Sequence, residues 1–315
     1  MKNGYIKVGC ATCDIVVANP IANAKNIIKK INSAKSQKVK VLLFQELALS
    51  GYTCGDLFLQ ETLLDDCLEG LELIRRNSLR KDMLIVVGMP LRHNNKLFNV
   101  AAFINKGKIL GFVPKTNIPN YDEFYELRHF SNALKNNEKV LINGKEYPLG
   151  TNLLFKCRQI EELIVACEIC EDLWAPLTPS TYHALNGATM ILNLSASNEV
   201  SEKELERKEL VKNTSKRLLA IYMYSDAGNG ESTQDLVFAA HNIISENGVI
   251  LKESQLFKNE LIVSEVDVKS IVFERSKRNT FVKDESKVYE TIYFDLEVEE
   301  TILTRSYPTC TFKSE

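Results

Sequence analysis

Three polar side chains sit where apolar runs end. Glu46 follows the run Val41–Phe44, Lys115 follows Lys108–Val113, and Cys170 follows Leu163–Cys167. A carboxylate at the end of a buried strand is partly desolvated, which raises its pKa and suits it to take a proton. A lysine held at such an end can donate hydrogen bonds to a developing oxyanion. A thiol near a helix N-terminus and a cationic side chain has a lowered pKa and acts as a nucleophile. Taken singly, each has a commoner, plainer reading: a strand-capping carboxylate, a lysine lying over apolar surface, a buried structural cysteine.

Competing chemistries find little support. The C-x-x-C pairs Cys10/Cys13 and Cys167/Cys170 lie about 150 residues apart, on or beside apolar runs, and lack the turn glycines and histidines of a zinc site. The acidic surroundings of Cys170 fit a thioredoxin-like motif poorly. No G-x-S-x-G elbow is present, and His93, His129, His183 and His241 lack any context that suggests a cysteine–histidine pair. Neither a phosphate-binding G-x-x-x-x-G-K-[ST] loop nor a dinucleotide glycine fingerprint occurs.

The elements that must position these residues alternate between strand and helix. Ile6–Ala11 reads as a strand, and Asn19-Pro20 then opens a helix. Strands are expected at Val41–Phe44 and Met83–Val87, around a helix over Glu61–Leu79. Asn99–Ile104 and Lys108–Val113 flank an Asn105-Lys106-Gly107 turn. Further strands are expected at Leu153–Phe155, Leu163–Cys167, Thr189–Leu194, Ala220–Tyr224, Leu236–Ala240 and Leu261–Val266. Ser201–Leu218 reads as a helix opened by a capping box, and Asn247-Gly248 as a strand-joining turn. The polar stretch Asn132–Tyr147 reads as a surface excursion. Hairpins mixed with βα units point to a layered α/β sandwich over residues 1–270. The charge-rich remainder, 271–315, reads as an extension or the start of a connection to something else.

Composition is that of a water-soluble globular chain: 315 residues, 45% hydrophobic and 25% charged. The net charge of -2 gives no electrostatic reason to expect nucleic acid or an anionic membrane as partner. No apolar run approaches the ~18 residues that span a bilayer, and the N-terminal segment does not read as a signal peptide. The eight cysteines are too sparse for a disulfide scaffold in a chain of this length, so reduced thiols and a cytoplasmic location are expected.

Glutamate, lysine and cysteine, in that order after three strands, resemble the catalytic triad of the nitrilase superfamily. The segments QELALSGY, PKTNIPNYDEFYE, EICEDLW, NLSAS and GNGESTQDLVF are similar to the glutaminase domains of glutamine-dependent NAD synthetases, with the likeness running from about Ile6 to Val268. That resemblance implies an α-β-β-α sandwich and hydrolysis of the glutamine side-chain amide to glutamate and ammonia through a cysteine thioester. It casts Cys170 as nucleophile, Glu46 as base and Lys115 as oxyanion donor. Glu126 becomes the second glutamate, with Glu123 a rival. Tyr52 and Tyr121 would lie beside the substrate, while Ser197, Lys203 and Glu171 would hold its amino-acid end. No S-G-G-x-D-S loop of a synthetase domain occurs, so no cofactor is expected on this chain. ATP, Mg and deamido-NAD belong to a synthetase domain, the expected partner, and a homo-oligomer is implied. Two departures, Ser131-Asn132-Ala133 after Phe130 and the acidic NEVSE before Lys203, bear on the shape of the pocket. The alternatives are another amidase acting on carbamoyl or ω-amide groups, and a non-catalytic assembly module.

Overall fold

In the computed structural model, which describes residues 3–231 and 235–306, every apolar run singled out above except one forms a strand or a helix. β1 (Tyr5–Ala11) leads into α1 (Pro20–Ser36), where the Asn19 side chain accepts from the Ala22 N–H and Pro20 fits the first turn. There follow β2 (Val41–Phe44), α2 (Glu61–Asn77), β3 (Leu84–His93), β4 (Lys96–Asn105) and β5 (Lys108–Pro114). Next come β6 (Glu138–Ile142), β7 (Lys145–Leu149), β8 (Leu153–Cys157), β9 (Ile164–Ile169), α3 (Pro179–Leu185), β10 (Met190–Ser195) and α4 (Lys203–Arg217). β11 (Ile221–Asp226), β12 (Ile243–Glu246), β13 (Val249–Glu253), β14 (Leu261–Asp267), α5 (Val268–Ser276) and β15 (Glu290–Phe294) complete the described order.

The strands form two sheets, ordered β14-β1-β2-β3-β4-β5-β7-β6 and β13-β12-β11-β10-β9-β8-β15. Side-chain alternation along β2 shows how they stack. Val41 and Leu43 point into the layer between the sheets, with Val8, Val86 and Phe103 against Phe155, Val165, Leu192 and Met223. Leu42 and Phe44 point the other way, onto Ile27 and Ile31 of α1 and Leu71 and Ile74 of α2. The far face of the second sheet carries α3 and α4 through Ala184 and Val211. Phe103 and Phe155 stack across the inter-sheet layer, with ring centroids 3.7 Å apart. The result is the α-β-β-α sandwich expected from the sequence. Among the described residues, no helix is long and apolar enough to cross a membrane.

Three local expectations are corrected. Asn132–Tyr147 is not a loop throughout: β6 and β7 form a hairpin around Asn143-Gly144 that extends the first sheet beyond β5. Its signal was present, since Val140 and Ile142 are buried while Leu141 is exposed. Leu236–Ala240 makes one bridge, Phe238 with Asn198, instead of a strand; Leu236 and Phe238 are buried by packing, not by a ladder. The capping box at Ser201 does not form. The Glu199 N–H donates to Val237 O, and Glu202 then turns with φ 68°, so α4 starts at Lys203 without a side-chain cap. The described part of the tail adds β15 alongside β8 in the second sheet, and the Thr301 hydroxyl donates to Tyr5 O beside the first.

Candidate active site

Glu46 lies two residues past β2, in a turn where Leu47 takes φ 49° and the Glu46 N–H donates to Ser195 O at the end of β10. This bond ties the carboxylate of one sheet to the other sheet. Gly88 on β3 makes the turn possible. A Cβ there would lie 2.3 Å from Leu47 N, 2.8 Å from Gln45 O and 2.9 Å from the Glu46 carbonyl carbon, all of them backbone. Gly88→Ala is therefore expected to destabilise the fold by about 1–3 kcal/mol, the usual range for overpacking. It should lower activity further by displacing Glu46. Urea unfolding with parallel rate measurements checks this, and an unchanged midpoint together with an unchanged rate would contradict it.

Lys115 follows β5 directly. Its ammonium donates to Glu46 Oε1 at 2.7 Å and to Glu126 Oε1 at 2.5 Å. Glu46 Oε1 also accepts from Asn99 Nδ2 at 2.6 Å, and Glu126 Oε1 from the Tyr52 hydroxyl at 2.7 Å. All five side chains are buried. Burial pushes the Glu46 carboxyl up to about 7; Lys115 opposes this and Glu126 reinforces it. Burial works against the Lys115 ammonium too, yet Glu126, Glu46 and Cys170 together hold its pKa well above the usual lysine range. Glu46 Oε2 and Glu126 Oε2 are buried and have no hydrogen-bond partner among the described residues. These are the acceptors left for a proton or an incoming polar group.

Cys170 follows β9 and opens a short helical turn with φ 47°. Its N–H donates to Asn193 Oδ1 at 3.2 Å. Asp172, two residues on, joins this turn to the Lys115 strand end. Its carboxylate accepts from the N–H groups of Ile169 (2.9 Å), Thr116 (3.2 Å) and Asn117 (2.7 Å), and from Asn117 Nδ2 at 2.8 Å. Asparagine offers one acceptor oxygen where four donors converge. Asp172→Asn should thus cost about 1–3 kcal/mol of stability, the range for leaving buried donors unsatisfied. It should also slow the chemistry by loosening Lys115 against Cys170. Thermal unfolding and turnover measured together check it; no change in either would contradict it.

The expected lowering of the Cys170 pKa is overturned. Burial raises it well above the ordinary thiol value, Glu46 and Glu126 raise it further, and Lys115 only partly offsets them. One ammonium beside two carboxylates cannot outweigh desolvation. The neutral thiol is thus the favoured form of Cys170, and Glu46 Oε2, which has no hydrogen-bond partner among the described residues, is free to accept a proton.

A buried thiol, a carboxylate and an ammonium thus come from the ends of β9, β2 and β5. The profile described as carbon-nitrogen hydrolase covers residues 7–273. The chain belongs to the carbon-nitrogen hydrolase family. Among relatives, the glutamine-dependent NAD(+) synthetase of Mycobacterium tuberculosis is 36% identical over 282 residues, 89% of this chain and 42% of that protein. That of Mus musculus is 28% identical over 318 residues, 94% of this chain and 43% of the other. Among solved structures, a glutamine-dependent NAD(+) synthetase from Cytophaga hutchinsonii superimposes with TM-score 0.75 at 28% identity, over 83% of this chain and 43% of that one. Nit3 of Saccharomyces cerevisiae, a member of the nitrilase superfamily, shares the fold at TM-score 0.66 and 18% identity, over 88% of this chain and 95% of its own. The chain spans less than half the length of the synthetases it matches.

The other residues singled out in this carbon-nitrogen hydrolase take varied places. The Tyr121 hydroxyl donates to Glu171 Oε2 at 2.8 Å, on an exposed rim beside the Cys170 turn. Glu123 accepts from Asn198 Nδ2, so Glu126 and not Glu123 meets Lys115. The buried Ser197 N–H donates to Asp226 Oδ1 at 2.8 Å. Lys203 lies 3.9 Å from the centroid of Trp174, the residue that ends the Cys170 turn. A cavity of about 340 Å³ opens at Tyr52 and Glu126, which line it with Phe58, Glu123, Phe130 and Leu236.

Sequence reasoning missed Asn99, Asp172, Asn193 and Glu231. Glu231, from the GNGESTQD segment, is buried, accepts from the Tyr52 N–H at 2.9 Å and is pushed up to about 7 by burial. Ser232, Thr233 and Gln234 of that segment lie outside the described residues. The missed signal was a polar residue within a continuous apolar run, such as Asn193 in MILNLS.

Proposed function

We propose that this carbon-nitrogen hydrolase releases ammonia from the side-chain amide of glutamine through a thioester on Cys170, and that the ammonia serves glutamine-dependent NAD synthesis. The convergence of Glu46, Lys115 and Glu126 at Cys170 carries the proposal. The likeness to glutamine-dependent NAD synthetases over most of this chain supports the choice of substrate.

In the proposed reaction, Glu46 Oε2 takes the thiol proton as sulfur attacks the amide carbonyl carbon. The oxyanion so formed is held by the Lys115 ammonium, an interaction worth about 3 kcal/mol for a preorganised donor. The carbon–nitrogen bond then breaks, and nitrogen leaves as ammonia with the proton that Glu46 returns. Water adds to the thioester while Glu46 accepts its proton, and glutamate departs as the thiol re-forms. Glu126 and Tyr52 hold the ammonium of Lys115 in place. Tyr121, Glu171, Ser197 and Lys203 serve the amino-acid end of the substrate, where the Lys203 ammonium suits an α-carboxylate as a point charge.

The proposal assigns ATP, Mg and deamido-NAD to a synthetase domain that receives the ammonia. It includes a homo-oligomer and a cytoplasmic setting, where a thiol nucleophile stays reduced. Ammonia release measured on glutamine, asparagine, a carbamoyl amine and a nitrile tests the substrate. Glutamine should be preferred by ~10²-fold or more in kcat/KM, because buried polar groups built for one amino-acid end are left unpaired by the others. Equal or better turnover of the nitrile or the carbamoyl amine would overturn it.

A further inference from the structure

Behind the nucleophile runs a chain of buried polar groups that the proposed reaction does not use. Glu168 on β9 accepts the Ser180 N–H at 2.8 Å through Oε2 and the Tyr222 hydroxyl through Oε1. The Tyr222 oxygen accepts from Asn193 Nδ2 at 3.0 Å. Asn193 Oδ1 then accepts both the Cys170 N–H at 3.2 Å and the Ser195 hydroxyl at 2.7 Å. Glu168, Ser180, Asn193, Ser195 and Tyr222 are at most 1% exposed, so solvent does not reach them to substitute for a lost partner.

Every bond in this chain has a fixed direction. A backbone N–H at Ser180 can only donate, so the end facing it must be an oxygen. Burial pushes Glu168 up to about 7, so above that pH the ionised carboxylate receives the Tyr222 proton on its other oxygen. This turns the lone pairs of Tyr222 toward Asn193, whose NH2 group must face them, and the amide oxygen is left facing Cys170. We propose, on the basis of the thioester reaction above, that Glu168 is a positioning residue: by taking the Tyr222 proton it keeps Tyr222 an acceptor toward Asn193, so that the hydroxyl does not oppose the amide orientation that serves Cys170 N–H and holds the Cys170 backbone in its left-handed conformation. A non-glycine residue with positive φ is unfavourable by itself and persists only where its surroundings over-determine it. The amide oxygen of Asn193 is the acceptor that does so here.

Glu168→Gln tests the polarity of the chain. With its oxygen kept on the Ser180 N–H, glutamine presents NH2 to Tyr222. The hydroxyl then donates toward Asn193, the asparagine amide flips, and Cys170 N–H loses its acceptor. Adding Tyr222→Phe removes the group that enforces the flip, so the double variant should recover. The readouts are kcat and KM for glutamine, and hydrogen exchange of the Cys170 amide in protein labelled with 15N-cysteine, its signal assigned by its absence in Cys170→Ser.

We expect Glu168→Gln to lower kcat by about 10- to 100-fold with KM within about threefold, the scale of a misplaced reacting group. Its Cys170 amide should exchange about tenfold faster or more, consistent with loss of one hydrogen bond. Both effects should be largely reversed in Glu168→Gln/Tyr222→Phe, and Tyr222→Phe alone should stay within about threefold of the parent, since the Asn193 oxygen keeps both its donors. An unchanged Cys170 amide in Glu168→Gln, no recovery in the double variant, or a tenfold loss in Tyr222→Phe alone overturns the proposal. Because the amide exchange needs no substrate, the predicted exchange pattern in a protein that fails to hydrolyse glutamine would leave this network standing and remove only the substrate assignment.

Discussion

Replacing Cys170 by alanine should reduce the proposed ammonia release from glutamine to background while leaving the protein folded. No neighbouring thiol can substitute. Cys167 is buried within β9, its thiol donating to Glu168 O, and the charges acting on it are those of Glu168 and Asp172. The Cys54 thiol donates to Ser50 O and feels Glu231, whereas Glu46 and Lys115 act on Cys170. The fold should survive because the Cys170 N–H bond to Asn193 does not depend on the side chain, and alanine meets the same cost at φ 47°. A loss of about 1 kcal/mol in packing would shift Tm by only about 2–4 °C in a chain of this size. Turnover by Cys170→Ala at the parent rate would refute the thioester route; the assay is a coupled ammonia measurement alongside thermal unfolding.

Glu46→Gln is expected to lower kcat by roughly 10³-fold, within the range attributed to a positioned general base. The substitution fits the site. Its oxygen can keep the bonds from Lys115 and Asn99 that Glu46 Oε1 accepts, and its NH2 replaces an oxygen that has no hydrogen-bond partner among the described residues. What it cannot do is take the thiol proton. In the parent the base must be ionised, so the rate should rise with pH through about 7, the range to which burial pushes Glu46; the variant should lack that limb.

Stability should move in the opposite sense. A carboxyl whose folded pKa lies above its ordinary value near 4.5 contributes stability that is fully present below that value and is lost as pH rises through about 7. With Lys115 and both glutamates charged, the cluster carries one net negative charge in a buried site, and glutamine removes it. Glu46→Gln should therefore unfold at a higher temperature than the parent at pH 8, with the gap closing toward pH 5. A variant that is less stable than the parent at pH 8, or that keeps the parent pH–rate profile, contradicts this account of Glu46.

The layered architecture could be read from the sequence because β2, β3 and β9 are short apolar runs with unambiguous turns around them. Glu46, Lys115 and Cys170 each follow such a run closely, but singly they read as structural residues; their order along the chain and the resemblance it carries singled them out. Asn193 and Glu168 carry the same kind of signal inside the runs MILNLS and IVACEI. Their partners come from other strands, so nothing local shows what they bond. The sign of the Cys170 shift was illegible for a related reason. It depends on how deeply the sulfur is buried and on a second carboxylate, Glu126, brought in from a separate loop. The helix start at Lys203 was misjudged because pairing of Glu199 with Val237, far along the chain, overrides the local capping preference.

In the proposed reaction one buried thiol, served by Glu46 and Lys115, attacks the glutamine amide. Incubation with a diazo-ketone analogue of glutamine, followed by peptide mass spectrometry, addresses it directly. A single adduct is expected on Cys170, formed more slowly in the presence of glutamine and absent from Cys170→Ala and, within the same interval, from Glu46→Gln. Labelling of a different cysteine, or no labelling of a folded protein that still hydrolyses glutamine, would contradict it.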